Sequence, residues 1–130
     1  MTIRSMRDSI MQSLSGDLPG AVFTSYSAAK DAQRYAVVFV AKSAVRRARF
    51  SAGQTRDVYT VTIHSVGVNE DLAFWVQERV DRLTGKKLSV PGRSVWPVEY
   101  ITGRPPALDG DGPKPLWFAI TQFDIISDPA

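Results

Sequence analysis

Cysteine is absent from this chain. That excludes a disulfide scaffold, thiol catalysis and any cysteine-based zinc site, and it fits folding in a reducing cytosol. Histidine occurs once, as His64, so a histidine-rich metal site cannot form within one chain. No apolar run approaches the ~20 residues that cross a bilayer. The opening "MTIRSMRDSIMQSLSG" carries charge throughout and lacks the continuous apolar stretch of a secretory signal. The expectation is a chain with no membrane partner, made and folded in the cytosol.

Catalytic motifs are equally scarce. No G-x-S-x-G nucleophile elbow occurs. "TGKKLS" contains Gly85, Lys86 and Lys87, but Val80 stands where a phosphate-binding loop needs its first glycine; the segment reads as a helix end. "DGDG" at 109–112 lacks the further oxygen ligands and closing glutamate of a calcium loop and reads as a turn. Glu99 and Asp124 can be neighbours across the last hairpin, but the sequence gives no sign that they are close or desolvated. His64 falls on a strand face with threonines and reads as a half-exposed sheet residue. No catalytic, cofactor-binding or metal-binding residue is assigned, and an enzyme is the class with least support.

What is present is an ordinary folding sequence. Its 130 residues suffice for one domain, 1–130, with its own core, and its 44% hydrophobic and 22% charged residues match soluble folded chains. Seven elements follow without a repeat. Ile3, Met6, Ile10 and Leu14 share one arc at helical spacing, predicting a helix from Ile3 to Leu14 that ends in the breaker segment "SGDLPG". A short strand is expected near Ala21 to Ser25. A second, "RYAVVFVAK", is apolar on both faces and must be covered on two sides. "DVYTVTIHSVG" alternates cleanly, with Tyr59, Val61 and Ile63 facing one way and Thr60, Thr62 and His64 the other.

The second helix is the best signalled. Asn69 is a good N-cap, Glu70 and Asp71 occupy the first turn, Gly85 supplies the stop, and Leu72, Val76, Val80 and Leu83 form the buried stripe. Glu78 and Arg82 are spaced as an i,i+4 ion pair. Phe74 points away from the stripe, toward Glu78 and Asp81; either a partner or a local loop covers it. "SVWPVEYIT" is a strand that Pro97 marks as an edge or a bulge. "PLWFAITQFDIIS" is the last strand, and the proline- and glycine-rich 103–115 is the loop between the two. The order α-β-β-β-α-β-β gives an α+β fold, a mostly antiparallel sheet with both helices packed on it.

One local feature dominates the charge. "SAVRRARFSAGQTR" holds Arg46, Arg47, Arg49 and Arg56 and no acid, and with Lys42 it carries +5. Removing these five charges from the net +3 leaves −2 for the rest of the chain. The stretch lies in the connection of an expected hairpin, a loop longer than the usual two to five residues. It could grip phosphates, but Phe50 is its only aromatic and no recognised nucleic-acid motif occurs. Arginine serves protein interfaces equally well.

Taken together, "VYTVTIHSVGVNEDLAFWVQERVDRLTG", "SVWPVEYITGRPP" and "PLWFAITQFDII" resemble the small tail-terminator (tail-completion) proteins of long-tailed bacteriophages, particularly those of actinobacteria. The resemblance covers about the last two-thirds of the chain and the amino-terminal helix. It implies a structural virion protein: a homo-oligomeric, hexameric ring at the head-proximal end of the tail tube. Such a ring stops tube polymerisation and docks the head connector, and DNA passes through it without specific recognition. Its partners would be the tail tube protein and the head–tail connector proteins, with no cofactor. Under this resemblance Arg46, Arg47, Arg49 and Phe50 belong to a subunit or tube contact arm, Ala44 to Gln54. Phe74 belongs to a contact surface, and Pro105 and Pro106 to a second docking loop. The alternatives are another connector or completion protein of the phage neck, and a nucleic-acid-binding α+β module using Arg46–Arg49.

Overall fold

The chain begins with an amphipathic helix, and its apolar spacing sets how it packs. In the computed structural model, which describes residues 3–25, 32–47, 55–109 and 115–129, helix α1 (Ile3–Ser15) buries Met6, Ile10 and Leu14. Ile3, expected on the same stripe, is 43% exposed, because the helix starts there and its first turn overhangs the core. Leu18 N–H closes the helix on the Leu14 carbonyl at 2.9 Å, and Gly20 takes the left-handed turn at φ 66°.

The sheet is built around two long central strands. β2 (Arg34–Arg47) and β3 (Thr55–Gly67) form an antiparallel hairpin whose register runs from Arg34↔Gly67 to Arg47↔Thr55, irregular between Lys42 and Ala44. β6 (Leu116–Pro129) pairs antiparallel with the other side of β3, from Asp57↔Ser127 to Gly67↔Trp117. The two-residue β1 (Val22–Phe23) adds to β2 in parallel, opposite Ala36 and Val37. On the far side of β6, β4 (Arg93–Val95) and β5 (Glu99–Asp109) lie end to end. The expected α+β sheet of mostly antiparallel strands is therefore what forms.

Pro97 divides the expected "SVWPVEYIT" strand in two. It has no N–H to donate to the ladder, so the chain leaves β6 after Trp96 N–H bonds the Ile126 carbonyl at 2.9 Å. Val98 exchanges backbone bonds with the turn after the second helix: its N–H goes to the Lys86 carbonyl, and its carbonyl accepts from Gly85 N–H.

α2 (Glu70–Asp81) follows β3 with the expected cap, Asn69 Oδ1 accepting from Leu72 N–H at 2.9 Å. Val76, Val80 and Leu83 are fully buried, with Ala73 on the same side, whereas Leu72 is only half-buried. Arg82 does not pair with Glu78. Its guanidinium reaches Asp17 at 3.1 Å, and Lys86 reaches the other oxygen of that carboxylate at 3.4 Å, tying the end of α2 to the turn after α1. The arginine side chain is long enough to take a partner from another element in place of its helical neighbour. β3 meets α2 tightly: a Cβ on Gly67 would lie 2.5 Å from Ala73 N.

Both helices cover one face of the sheet. Met6, Ile10 and Leu14 join Val76, Val80 and Leu83 over Val38, Tyr59, Val61, Ile63, Phe123 and Ile125, each contributing ~1.5–3 kcal/mol of burial. A smaller cluster of Tyr35, Val37 and Val66 lies on the opposite face, with Phe23, Leu116 and Phe118 against it. This accounts for the doubly apolar start of β2. Neither helix is long and apolar enough to cross a membrane.

Candidate assembly surfaces

The ladder between β2 and β3 reaches further than a charged sequence suggests. Arg46 stands opposite Arg56 and Arg47 opposite Thr55, so 44–47, read from sequence as the start of a loop, is strand. Charge on a side chain does not remove a backbone donor, and Val45 and Val58 favour extended backbone. Arg49 and Phe50 lie outside the described residues. Among those residues β2 has no strand on its outer side beyond Val37, so an edge from Val38 to Arg47 is open to pairing.

A polar clamp holds the root of this ribbon. Asp57 is buried, with Lys42 Nζ 3.4 Å from Oδ1 and an Arg93 guanidinium nitrogen 3.5 Å from Oδ2. The Tyr59 hydroxyl donates to Oδ2 at 3.4 Å. Oδ1 receives no hydrogen bond of good geometry, so Lys42 supplies charge there and not a directed bond. Arg93 also donates to the Ser127 hydroxyl at 2.9 Å and to its carbonyl at 2.7 Å. Burial, with the Asp57 charge second, pushes the Tyr59 phenol above its ordinary range. On the other face Arg56 makes a two-point contact with Asp128, at 2.7 and 3.2 Å, and Trp96 Nε1 donates to the same carboxylate at 2.7 Å. The hydrogen bond from Arg56 holds the Asp128 carboxyl below its ordinary value. Two of the five basic residues, Lys42 and Arg56, are thus neutralised inside the fold.

The outer face of α2 has the opposite character. Phe74 is 39% exposed, as its position on the helix predicts, and Glu70, Asp71, Glu78 and Asp81 are exposed as well. None of these four carboxylates makes an ion pair among the described residues. The helix's own cations turn elsewhere. Arg79 and Arg34 each lie over the Trp75 ring, 3.6 Å from its centre, while Arg82 is held by Asp17. Partial burial, then the Glu78 charge, raises the Asp81 carboxyl above its ordinary value.

The sheet face away from the helices is open over much of its area. Phe39, 41% exposed, meets the His64 ring edge-on at 5.1 Å, and His64 stacks with Phe118 at 6.2 Å. His64 is half-buried, in keeping with the sequence reading, and burial pushes its imidazole below the ordinary value. Beside it a pocket of about 300 Å³ is lined by Arg104, Pro105, Ala107, Phe118 and Ile120. Pro105 and Pro106 do not sit in a loop. They form an irregularity in β5, where pairing passes from Arg104↔Ile120 to Ala107↔Phe118. Proline cannot donate to a ladder, so the strand bulges past the pair and resumes. Gln77 Nε2 bonds the Arg104 carbonyl there at 3.0 Å, and the bulge leaves the β5 edge poor at accepting another strand.

The structure does bring Glu99 and Asp124 opposite each other. Glu99 is exposed, and Asp124 accepts from the Thr60 hydroxyl at 3.3 Å. Among the described residues no group of three or more acidic or histidine side chains could hold a metal ion. The interface residues named from sequence do not converge on one site. Arg46 and Arg47 lie at the far end of the β2–β3 ladder, Phe74 on α2, and Pro105 and Pro106 at the β5 bulge. The Asp57 clamp went unseen in the sequence because its members come from β2, β3, β4 and β6.

No protein-family model matches the chain, and no curated protein matches it. Among solved structures the chain is similar to one from the virion of a native gene transfer agent particle. The TM-score is 0.68 at 12% sequence identity, over 95% of this chain and 94% of that chain. At that identity the likeness is one of fold, and it extends over nearly the whole length of both chains.

Proposed function

We propose that this chain is a structural subunit of a phage-type virion. More specifically, it is a tail-terminator-like protein that forms a hexameric ring at the head-proximal end of the tail tube, ends tube growth and docks the head connector. The observation that carries the reading is the end-to-end likeness in fold to a chain of a gene transfer agent virion. The surfaces support it. Among the described residues one sheet face is left largely uncovered, β2 has no strand on its edge beyond Val37, and α2 presents an exposed aromatic, which together are more contact surface than an isolated small domain needs. A nucleic-acid role for the basic stretch loses ground, because Lys42 and Arg56 are already engaged by Asp57 and Asp128. On this reading DNA traverses the ring without being recognised.

The test is negative-stain electron microscopy of the purified protein over a concentration series, alone and with tail-tube ends added. Closed rings of uniform size, six-fold in projection and seated on tube ends, are expected. Protein that stays monomeric alone and leaves tube ends bare and still growing would refute the terminator role.

A further inference from the structure

The outer face of α2 and the basic ribbon are complementary. Glu70, Asp71, Phe74, Glu78 and Asp81 fall within an arc of roughly 100° at helical spacing, so the exposed ring is surrounded by four carboxylates. The cations nearest in sequence cannot neutralise them, since Arg79 is stacked on Trp75 and Arg82 is bound to Asp17. A face of this sign repels nucleic acid and anionic lipid and suits a cationic protein surface. The same chain carries a basic stretch: 43–56 has four arginines and no acid, and of these Arg56 is taken by Asp128. The register sets Arg46 across from Arg56 and Arg47 across from Thr55 at the far end of the β2–β3 ladder.

The arginine end of the ribbon and Phe74 are far apart within one molecule. α2 starts from the Gly67 end of β3, about 40 Å of strand from the Thr55 end where Arg47 pairs, and Phe74 stands one turn into the helix. Glu78 and Asp81 lie further along it, toward the turn that bonds Val98. We infer that the contact is made between copies: the Arg46–Arg47 end of one subunit docks on the Phe74 face of α2 in the next. Different patches meet on the two sides, so the contact is head-to-tail, the type that closes into a ring when the rotation allows. Phe74 is its apolar centre and the surrounding carboxylates fix the orientation of the arginines. This deepens the ring reading above and rests on it.

Charge exchange tests the contact. Two double variants, Arg46→Glu with Arg47→Glu and Glu78→Arg with Asp81→Arg, are compared with the unaltered protein by sedimentation velocity at low salt, with tube ends supplied as template. Circular dichroism checks that each variant is folded. Each variant alone is expected to stay monomeric where the unaltered protein assembles. Mixed in equal amounts the two should assemble again, because every junction in an alternating ring then joins opposite charges. Assembly of either variant alone to the normal extent, or no recovery on mixing, overturns this contact and leaves the ring itself to be held by another. Loss of duplex DNA binding in the Arg46→Glu, Arg47→Glu protein with assembly intact would assign the ribbon to nucleic acid and also overturn it. An unaltered protein that never assembles removes the contact and the ring together.

Discussion

His64 is the residue whose environment gives the most direct solution prediction. It lies half-buried between Phe39 and Phe118, and burial lowers its pKa below the ordinary 6.5. In the window below pH 6.5 the unfolded chain therefore binds more protons at this position than the folded protein. Stability must then rise with pH across that window, falling as pH drops from 6.5 toward the folded pKa and levelling below it. Asp17 and Asp128, both lowered, act in the same direction but only below about 3.8, whereas Asp81, raised, acts oppositely just above that value. Urea midpoints are expected to fall between pH 7 and pH 5, and His64→Leu should flatten that slope. An equally steep slope in the variant would remove His64 as its source. The half-exposed setting of His64 was legible from strand alternation alone. The Asp57 clamp was not, because Lys42, Arg93 and Tyr59 converge on it only when β2, β3 and β4 come together around the sheet.

Elements were legible where hydrophobic period and terminal signals agreed. α1, α2 with its Asn69 cap, and the alternating β3 stand where spacing put them. Two misreadings share one cause, in that turn-like composition outweighed backbone pairing. Residues 44–47 are arginine-rich and 103–109 contain two prolines and a glycine, yet both segments are strand because a long neighbour, β3 or β6, offers its edge along their length. The junction of β3 with α2 gives an element-scale prediction. A Cβ at Gly67 would meet Ala73 N at 2.5 Å and the Leu72 Cβ at 2.8 Å, and the backbone at the start of a capped helix cannot yield as a flexible side chain does. Gly67→Ala is expected to cost about 1–3 kcal/mol, seen as a lower urea midpoint at unchanged slope. Gly16 has nothing within 4 Å of its would-be Cβ, so Gly16→Ala serves as the control and should not show that loss.

At the scale of the whole molecule, the fold and the proposed assembly draw on different residues. The large core lies between the helices and one sheet face and is closed by buried side chains from Met6 to Ile125. The α2 outer face takes no part in it: Phe74 is 39% exposed, and its helix is already anchored by Val76, Val80 and Leu83. A change at Phe74 should therefore separate the two properties. Phe74→Ala is expected to shift folding stability by no more than about 0.5 kcal/mol, as surface substitutions do. A central aromatic anchor at a contact is typically worth 2 kcal/mol or more, and 1.4 kcal/mol is a factor of ten. The concentration needed for ring assembly should thus rise at least about tenfold, read by sedimentation beside a urea titration of the same sample. If stability and assembly fell together, Phe74 would be supporting its own chain. If neither moved, the neighbouring subunit would be docking elsewhere.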